Sequence, residues 1–442
     1  MKFRTVKGTR DFYPTDMAIR NWIVDTWKRV SLNHGFEEYD SPIFEYLDLF
    51  KAKSGEAIVS ELFHFTDRGD RELAIRPEMT PSLARMINAR AQSLPLPIKW
   101  FSVPRLCRAE RPQRGRLREF FQWNIDIVGI DDAVTDAECI FVAVDFFRQI
   151  GLTPADIVMK INSRALLAAL LSARGFAENR HADIFVVLDK RDKLSQDDFI
   201  KSVEKITQSG SRRGKEKTTL IEIGQAHGKT GLESLAGMAE GNKSAERELT
   251  RLRNVFDILN TLGVADYCEF DMGIVRGLAY YTGVVFEAFG KAGLKRAICG
   301  GGRYDQLLEV LGGPPMSGTG FGTSDVVILD LLIELNHVPT EATISKQNDF
   351  YVIDADANLF NEVLSLVAKL RKAGFAAEFS YRRQAIGKQI KQAAANNTRW
   401  AVIVGNEYTE RGVLSVKDLD TGEQVEIPIR TFLDNPHAPM GK

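Results

Sequence analysis

One stretch of alternating residues constrains the fold more than any other. It runs from Arg105 to Ile130, and side chains two apart in a strand share a face. The apolar face of its returning strand carries Phe121, Trp123, Ile125 and Ile127, and the polar face carries Gln122, Asn124 and Asp126. Two alternating runs joined by a polar loop predict a β-hairpin.

The loop of this hairpin is strongly basic. Four arginines lie between Arg111 and Arg118, and Arg108 and Glu110 share a face of the preceding strand. A solvent-facing strand would also alternate, so a surface hairpin is one interpretation. A set of Arg, Glu, Gln, Asn and Asp is, however, costly to bury unpaired and suits an anionic, hydrogen-bonding ligand. The pattern therefore predicts either a surface strand or a ligand site.

The hairpin resembles motif 2 of class II aminoacyl-tRNA synthetases. That motif reads R-x-E, an arginine-rich loop and then F-x-Q, and the segment CRAERPQRGRLREFFQWNIDIVG is similar to histidyl-tRNA synthetases in particular. In that family the hairpin holds ATP and the amino acid, and its loop reaches the tRNA acceptor end. The resemblance implies that Arg108, Glu110 and Phe120 contact ATP and that Gln113 and Arg116 contact the tRNA acceptor end.

A second segment, RPEMT at residues 76–80, resembles the part of that family that holds the α-amino group of histidine. The resemblance implies Glu78, Met79 and Thr80 as histidine-binding residues, with the carboxylate neutralising an ammonium. Thr80 also has a structural interpretation as the N-cap of a helix, because Pro81 suits a first helical turn.

A third segment, FDMGIVRGLAYYTGVVFEAF at residues 270–289, resembles the histidine-specific motif R-G-L-x-Y-Y-T-G-x-V-F-E. In the family its arginine contacts the α-phosphate and the histidine carboxylate, replacing a metal as the electrophile, and its tyrosines line the imidazole pocket. The resemblance implies these roles for Arg276, Tyr280 and Tyr281. Many members carry Asp where this chain has Ala279. As an alternative, the two tyrosines are ordinary strand aromatics, one on each face.

The residues singled out would supply matched groups for one set of substrates. Glu78 and Gln122 suit an ammonium, and Asp126 suits an imidazole N–H. Arg108 and Arg276 suit a carboxylate and an α-phosphate, and charge-assisted pairs of this type are the strong ones. We therefore expect all five residues to bind histidine, with the two arginines as the catalytic residues that also contact ATP. Mg²⁺ would arrive with ATP and be held largely by its phosphates, and no prosthetic group or protein metal site is expected.

Two glycine-rich segments follow. Residues 299–305, CGGGRYD, resemble the family's G-G-G-R-Y-D and predict a glycine turn leading to a helix; the spacing of a P-loop is absent. Motif 3 of many class II enzymes ends G-x-x-R, with the arginine over the ATP γ-phosphate. Here Val327 occupies that position and Ser324 replaces a usual glycine. A subgroup of histidyl enzymes is similar in having G-D-x-V, so the missing arginine need not mean inactivity.

Composition fits a cytoplasmic protein. The formal net charge of -1 gives no global attraction to nucleic acid or membrane, so any RNA contact must come from local basic patches, and no DNA partner is expected. The four cysteines lie far apart without a C-x-x-C, which argues against a zinc site or a disulfide framework. The N-terminal residues resemble no targeting segment, and no apolar run reaches membrane-spanning length.

Helix and strand patterns divide the chain. We expect an α/β (α+β) catalytic domain at 1–335, built on a class II synthetase-like antiparallel sheet with helices and carrying an inserted helical module at about 175–260. Residues 336–347 are expected to be a linker. Residues 348–442 alternate strand and helix, which predicts a small mixed α/β domain that resembles the class IIa anticodon-binding domain.

Motif 1, the dimer-forming element of class II synthetases, also has a counterpart. A helix at Ile19–Val30 and an extended edge segment at Phe36–Phe44 resemble it, so we expect a homodimer. A hairpin of Glu61–Phe65 and Glu72–Ile75 is predicted to follow.

The resemblance covers essentially the whole chain and implies a histidine–tRNA ligase, which activates L-histidine with ATP to histidyl-adenylate and transfers it to the 3′ end of tRNA(His) for protein synthesis. One alternative is a regulatory paralogue of the ATP phosphoribosyltransferase subunit type, which keeps the fold but usually lacks the C-terminal domain; the absent motif 3 arginine favours it. Another is a non-enzymatic tRNA-binding or signalling module, which would not need the complete histidine pocket. The presence of Arg108, Glu110 and Arg276 favours the enzyme.

Overall fold

The computed structural model describes residues 3–191, 194–207, 213–275, 281–291, 293, 296–340 and 348–436. The chain divides into two compact units, Met1–Val338 and Pro339–Lys442, and each contains its own buried hydrophobic clusters. Within the described ranges, no helix is both long and apolar enough to cross a lipid bilayer.

The larger unit combines strands with helices. Its strands are β1 Glu37–Glu38, β2 Phe44–Tyr46, β3 His64–Thr66, β4 Glu72–Ile75, β5 Ile98–Ser102, β6 Arg105–Cys107, β7 Glu119–Val128, β8 Ile157–Ser163, β9 Cys268–Phe270, β10 Val284–Gly290, β11 Ala297–Arg303 and β12 Gly318–Ser324. Its helices are α1 Pro14–Asn33, α2 Leu47–Ser54, α3 Thr80–Arg90, α4 Ala133–Gln149, α5 Arg164–Ala173, α6 His181–Leu188, α7 Gln196–Ile206, α8 Arg213–Gln225, α9 Gly228–Ala239, α10 Lys243–Thr261, α11 Leu307–Val310 and α12 Asp325–Glu334.

One large sheet organises this unit. Its strand order is β1-β5-β7-β12-β11-β10-β8-β9, and β6 pairs with the first residues of β7. All neighbouring pairs are antiparallel except β1 with β5 and β8 with β9. The predicted antiparallel sheet with helices is therefore confirmed, and β7, the strand predicted from the alternating stretch, lies near its middle.

The apolar face of β7 is the side on which the core forms. Trp123 and Ile125 are fully buried there. The Trp123 ring stacks on Trp27 of α1 with 6.0 Å between centroids, and its indole N–H donates to Ser31 Oγ at 2.9 Å. Truncating a buried aromatic of this kind typically costs about 3–5 kcal/mol. This packing fixes which face of β7 points away from the core.

A three-stranded antiparallel sheet, in the order β2-β4-β3, stands beside α2 and α3. The hairpin strand predicted at Glu61–Phe65 is misplaced, because Glu56–Glu61 forms a 3-10 helix and β3 begins only at His64. Leu47 and Phe50 of α2 are buried against Leu62 and Ala74 in a separate small cluster, which holds α2 close to β4.

Helix α3 corrects the prediction that Thr80 is an N-cap. The residue before the helix is Met79, whose backbone is already helical at φ -100° and ψ -28°, and no side chain caps the helix. Thr80 is therefore the first helical residue. Pro81 follows it in the first turn, as predicted.

Helices α6 to α10 lie in the segment expected to be an inserted helical module, and α10 packs against α4 and α5. A buried carboxylate ties this segment to the sheet. Asp271, just after β9, pairs with Arg191 at 2.9 Å and with Lys160 of β8 at 2.7 Å. Removing one member of such a buried cluster would leave uncompensated charge.

The smaller unit is a mixed sheet with helices. Its strands are β13 Asn348–Asp354, β14 Ala377–Phe379, β15 Thr398–Val404, β16 Val413–Asp418 and β17 Gln424–Pro428, and its helices are α13 Phe360–Lys372, α14 Ile386–Ala395, α15 Asn406–Arg411 and α16 Ile429–Asp434. The order is β14-β13-β15-β16-β17, parallel among the first three strands and antiparallel beyond. The predicted strand–helix alternation is confirmed, while β16 and β17 were not predicted.

Candidate active site

The floor of the candidate site is the polar face of β7 with β12 beside it. The register pairs Asp126 with Gly320 and Asn124 with Gly322. A Cβ atom at Gly320 would lie 2.4 Å from Asp126 Oδ1, and one at Gly322 would lie 2.8 Å from Gln122 Nε2. Glycine at these two positions therefore leaves room above the sheet for the polar side chains of β7 and for a ligand.

The glycine triplet of β11 corrects a second prediction. It lies inside a strand rather than in a turn, and helix α11 begins only at Leu307. A Cβ atom at Gly301 would lie 2.5 Å from the Gly320 carbonyl oxygen, and one at Gly302 would lie 2.8 Å from the Val284 carbonyl oxygen. The missing side chains thus allow β11 to approach both of its neighbours closely.

A cavity above this floor collects many of the polar groups predicted from the sequence. Its lining is Glu78, Thr80, Arg108, Gln122, Asn124, Asp126, Tyr281, Gly300, Tyr304, Gly320, Phe321 and Gly322. We call it the first cavity. Met79, also predicted to bind histidine, is different, because its side chain is fully buried in a hydrophobic cluster. Asn124 and Tyr304 were not predicted, although both lie in stretches that the sequence singled out.

Glu78 lies against a lysine that sequence reasoning missed. Lys53 Nζ of α2 donates to Glu78 Oε2 at 2.5 Å, and the lysine side chain is only 1% exposed. Burial lowers the pKa of Lys53, while the Glu78 carboxylate acts in the opposite direction. A hydrogen-bonded ion pair in such surroundings fixes the direction of the carboxylate at the edge of the first cavity.

Asp126 also lines the first cavity and is 4% exposed. The Tyr304 hydroxyl donates to its Oδ1 at 2.5 Å. Burial raises the pKa of Asp126 to about 7, although the Tyr304 hydrogen bond and the charge of Lys53 favour the ionised form. A carboxyl group with such a pKa can accept or donate a hydrogen bond near neutral pH, which suits an imidazole partner.

A second cavity adjoins the first and shares Arg108, Gln122, Gly300 and Gly322 with it. Its full lining is Arg108, Gly115, Arg116, Leu117, Phe120, Gln122, Arg296, Ala297, Ile298, Cys299, Gly300, Gly322, Thr323, Ser324, Val326 and Val327. Three arginines and an aromatic ring in one cavity suit a ligand that combines phosphates with a planar base.

Arg108 joins the two cavities. Its Nε donates to the Pro77 carbonyl oxygen at 3.0 Å, and its guanidinium lies 5.0 Å from the centroid of the Phe120 ring. Burial lowers the pKa of Arg108, and the nearby carboxylates of Glu78 and Glu110 raise it. The guanidinium is therefore fixed at the point where a group spanning both cavities would pass.

The hairpin loop forms an outer concave surface lined by Glu61, Glu110, Arg111, Pro112, Gln113 and Arg116. Glu110 accepts a hydrogen bond from Arg116, and Gln113 bridges to Arg116 through backbone hydrogen bonds. The predicted strand of the first arm is shorter than expected, since β6 ends at Cys107. Arg108 still pairs through its backbone N–H with the Arg118 carbonyl oxygen at 2.8 Å, so the hairpin continues past the strand.

Two predicted site residues, Arg276 and Tyr280, lie outside the described residues. Tyr281 follows them and lines the first cavity. The described part of the segment that resembles the histidine-specific motif therefore contributes one side chain to this cavity.

The start of α12 accounts for Ser324 and Val327. The Ser324 side chain caps the helix by accepting from the Val327 backbone N–H at 3.4 Å. Asp325 accepts from the Phe121 backbone N–H at 2.8 Å and pairs with Arg10 at 2.6 Å, which ties the helix to β7. Val327 is 4% exposed and lines the second cavity, so the described start of α12 places no cation there.

Two family models match this chain. The model described as Histidyl-tRNA synthetase matches residues 8–325, and the model described as Anticodon binding domain matches residues 344–435. The chain belongs to the histidyl-tRNA synthetase family.

Relatives in this family match the chain over nearly its full length. It is 38% identical to the Histidine–tRNA ligase of Opitutus terrae over 426 residues, covering 96% of each chain. It is 36% identical to the Histidine–tRNA ligase of Pyrococcus abyssi, again covering 96% of each. It is 37% identical to the chloroplastic/mitochondrial Histidine–tRNA ligase of Arabidopsis thaliana, covering 96% of this chain and 84% of the relative.

Solved structures show the same fold at lower identity. The histidyl-tRNA synthetase from Nostoc sp. PCC 7120 has a TM-score of 0.83 and 23% identity, with 99% of each chain covered. A protein from Bacillus halodurans titled ATP phosphoribosyltransferase regulatory subunit/histidyl-tRNA synthetase has a TM-score of 0.74 and 22% identity, covering 91% of this chain and 98% of that one. The histidyl-tRNA synthetase fold therefore extends over the whole chain.

Proposed function

We propose that this protein is a histidine–tRNA ligase that activates L-histidine with ATP and transfers it to tRNA(His). The observation that carries the proposal is the pair of adjoining cavities, one lined by fixed carboxylates and the other by arginines, which meet at Arg108. Relatives named Histidine–tRNA ligase that match nearly the full chain support it.

The first cavity would hold histidine. Glu78, fixed by Lys53, would receive the α-ammonium together with Gln122 and Thr80. Asp126, held by Tyr304, would accept from an imidazole N–H, and Tyr281 would line the ring. Met79 would contribute through its backbone, since its side chain is in the core.

The second cavity would hold ATP, which brings Mg²⁺ as its substrate-bound ion. Arg108 lies where the α-phosphate and the histidine carboxylate would meet, and Phe120 offers a ring for stacking. Glu110 would accept a hydrogen bond from the adenine amino group once its hydrogen bond with Arg116 is broken. A histidine carboxylate oxygen attacks the α-phosphorus, the bond to the bridging oxygen breaks, and pyrophosphate leaves. Positioning and cationic stabilisation would supply most of the catalysis.

Arg276 would be the second catalytic arginine, contacting the α-phosphate and the histidine carboxylate beside Tyr280. Because both residues lie outside the described ranges, this role rests on the resemblance of their segment to the histidine-specific motif. The tRNA acceptor end would then reach Gln113 and Arg116 on the outer surface of the hairpin loop, and the terminal ribose hydroxyl would attack the adenylate.

A regulatory paralogue of the ATP phosphoribosyltransferase type is not favoured. Residues 344–435 match an anticodon-binding domain, which is expected of a protein that binds tRNA. The relatives named Histidine–tRNA ligase also match this chain across that domain. We infer residues 1–335 as the catalytic domain, about 175–260 as its insertion, and 348–442 as the anticodon-binding domain.

We also propose a cytoplasmic homodimer. Ile43, Phe44, Tyr46 and Phe65 are each at least 44% exposed, and the rings of Phe44 and Phe65 meet edge to face at 6.4 Å. An exposed apolar patch of this kind beside the motif 1 segment supports a two-fold interface. Light scattering at micromolar concentration should give twice the chain mass; a monomer mass would contradict the dimer.

The experiment for the catalytic proposal is tRNA charging with labelled histidine, comparing wild type with Arg276→Ala. Loss of one preorganised donor should lower the rate roughly a hundred- to a thousand-fold, and Arg276→Lys should restore it only partly because a point charge cannot reproduce the fork. Arg247→Ala, an exposed arginine on α10, is the matched control and should charge normally. Near wild-type charging by both Arg276 variants would contradict the role of this arginine.

A further inference from the structure

The second cavity contains an arginine that no motif accounts for. Arg296 lies immediately before β11 and lines the cavity with Arg108 and Arg116. It is half-buried, and the two residues of α12 that line the same cavity, Val326 and Val327, are apolar.

The hairpin loop holds the Arg296 side chain in place. Its Nη1 donates to the Arg114 carbonyl oxygen at 3.3 Å, and a Cβ atom at Gly115 would lie 2.8 Å from Arg296 Cδ. The loop is itself anchored, since the Gly115 backbone N–H donates to Asp330 Oδ2 at 2.8 Å and Arg114 pairs with Glu334 at 3.3 Å. The aliphatic part of Arg296 thus packs on a glycine of a tethered loop, and its guanidinium is held by the Arg114 carbonyl oxygen of the same loop.

In the described part of the protein, Arg296 has only distant carboxylates, Glu110 and Asp330, near its charge. No carboxylate there pairs with it within 4.0 Å, and Glu110 is engaged by Arg116. Burial lowers the pKa of Arg296, and the positive charges of Arg116 and Arg108 lower it further, against the opposite effect of Glu110 and Asp330. A guanidinium held among other arginines without a carboxylate partner is stabilised when an anion enters.

The position of Arg296 along the cavity indicates which phosphate groups of the anion it would contact. Arg108 lies at the boundary with the first cavity, where the reacting α-phosphate must approach the amino acid. Arg296 belongs to the second cavity only and lies beside Gly115 and Arg116 of the hairpin loop. It would therefore meet the phosphates that lie farther from the reaction.

We propose that Arg296 binds the β- and γ-phosphates of ATP and then the departing pyrophosphate, in place of a cation from α12. The proposal rests on the proposed function of this site. When the bond between the α-phosphorus and its bridging oxygen breaks, the electron pair stays on pyrophosphate, and Arg296 neutralises part of that charge. A fork of two N–H groups suits two phosphate oxygens.

The test is pyrophosphate–ATP exchange with Arg296→Ala. Loss of a charge-assisted contact should raise KM for ATP and for pyrophosphate roughly 10- to 100-fold. KM for histidine should stay within about threefold of wild type, as should the affinity for a sulfamoyl analogue of histidyl-adenylate, because neither ligand carries these phosphates. Arg296→Lys should recover part of the loss. Lys291→Ala removes an exposed cation from the same segment and should leave all of these values unchanged.

Unchanged KM values for ATP and pyrophosphate in Arg296→Ala would overturn the proposal. An equal loss of affinity for the sulfamoyl analogue would also overturn it, because that result places Arg296 on the nucleoside or in the fold. Wild-type protein without exchange would refute the proposed activity instead. Calorimetric titration with MgATP alone then decides the role of Arg296, since weaker binding by the alanine variant supports it and equal binding refutes it.

Discussion

Replacing Asp126 by asparagine is expected to stabilise the protein at alkaline pH while weakening its use of histidine. Burial holds the pKa of this carboxyl at about 7 against an ordinary value of 3.8. A group whose pKa is raised by folding contributes stability below the unfolded value, and that contribution is lost as the pH rises through the folded value. Ionised Asp126 therefore costs free energy above about pH 7.

The size of the effect follows from the two pKa values. At about pH 8.5 the free-energy cost of burying Asp126 reaches nearly the full value set by the two pKa values, about 4 kcal/mol. At about pH 4.5 this cost is only about 1 kcal/mol. Asparagine has nearly the same shape, stays neutral throughout and still accepts from the Tyr304 hydroxyl. Asp126→Asn should thus gain up to about 3 kcal/mol more stability at the higher pH than at the lower one.

Urea denaturation followed by intrinsic fluorescence at the two pH values measures this difference, because groups common to both proteins cancel. Asp136→Asn is the contrasting control. Asp136 is also fully buried but pairs with Arg303 at 2.9 Å, so its loss should destabilise at both pH values by removing the nearest carboxylate from that buried guanidinium. An Asp126→Asn variant with the same stability difference from wild type at both pH values would contradict a raised pKa of Asp126.

Two other buried groups give separate expectations. Burial lowers the pKa of His34, but the carboxylates of Glu138 and Asp145 outweigh it and raise the pKa overall. His34→Gln should therefore cost most stability below about pH 6.5 and progressively less as the pH rises through the raised pKa. A difference in melting temperature between variant and wild type that does not change with pH would contradict this. Lys53→Met leaves Glu78 unpaired and should cost roughly 3–5 kcal/mol, while adding Glu78→Gln should recover much of that stability but not the use of histidine. A single variant as stable as the double one in thermal denaturation would show that the pair is not coupled.

The alternation of β7 was enough to predict the strand and both of its faces. A period of two fixes which side chains share a face, and only one face could enter the core with Trp123. The shared cavity lining of Gln122, Asn124 and Asp126 followed, because these side chains had to lie together on the other face.

Other parts of the site depend on contacts between distant segments. Lys53 belongs to a short helix with no motif of its own, and it reaches Glu78 only because α2 packs against β4 and α3. Arg296 enters the second cavity because Gly115, far away in the sequence, leaves space for it. Such contacts have no local pattern from which they could be predicted.

Predictions from local residue preferences were wrong at two positions where tertiary structure determined the backbone conformation. The glycine triplet predicted a turn, since glycine favours turns, yet close pairing of β11 with β10 and β12 requires it inside a strand. Thr80 was predicted to be an N-cap, which would start the helix at Pro81. The helix instead begins at Thr80 itself. In both cases the residues instead border the cavities at the centre of the unit.

Histidine-dependent exchange of labelled pyrophosphate into ATP tests the central claim most directly. It reports adenylate formation alone, without tRNA, and so isolates the two adjoining cavities. The account predicts exchange with histidine and with no other standard amino acid. Absence of exchange at saturating ATP and histidine, with no adenylate detected, would contradict it, as would equal exchange with a different amino acid.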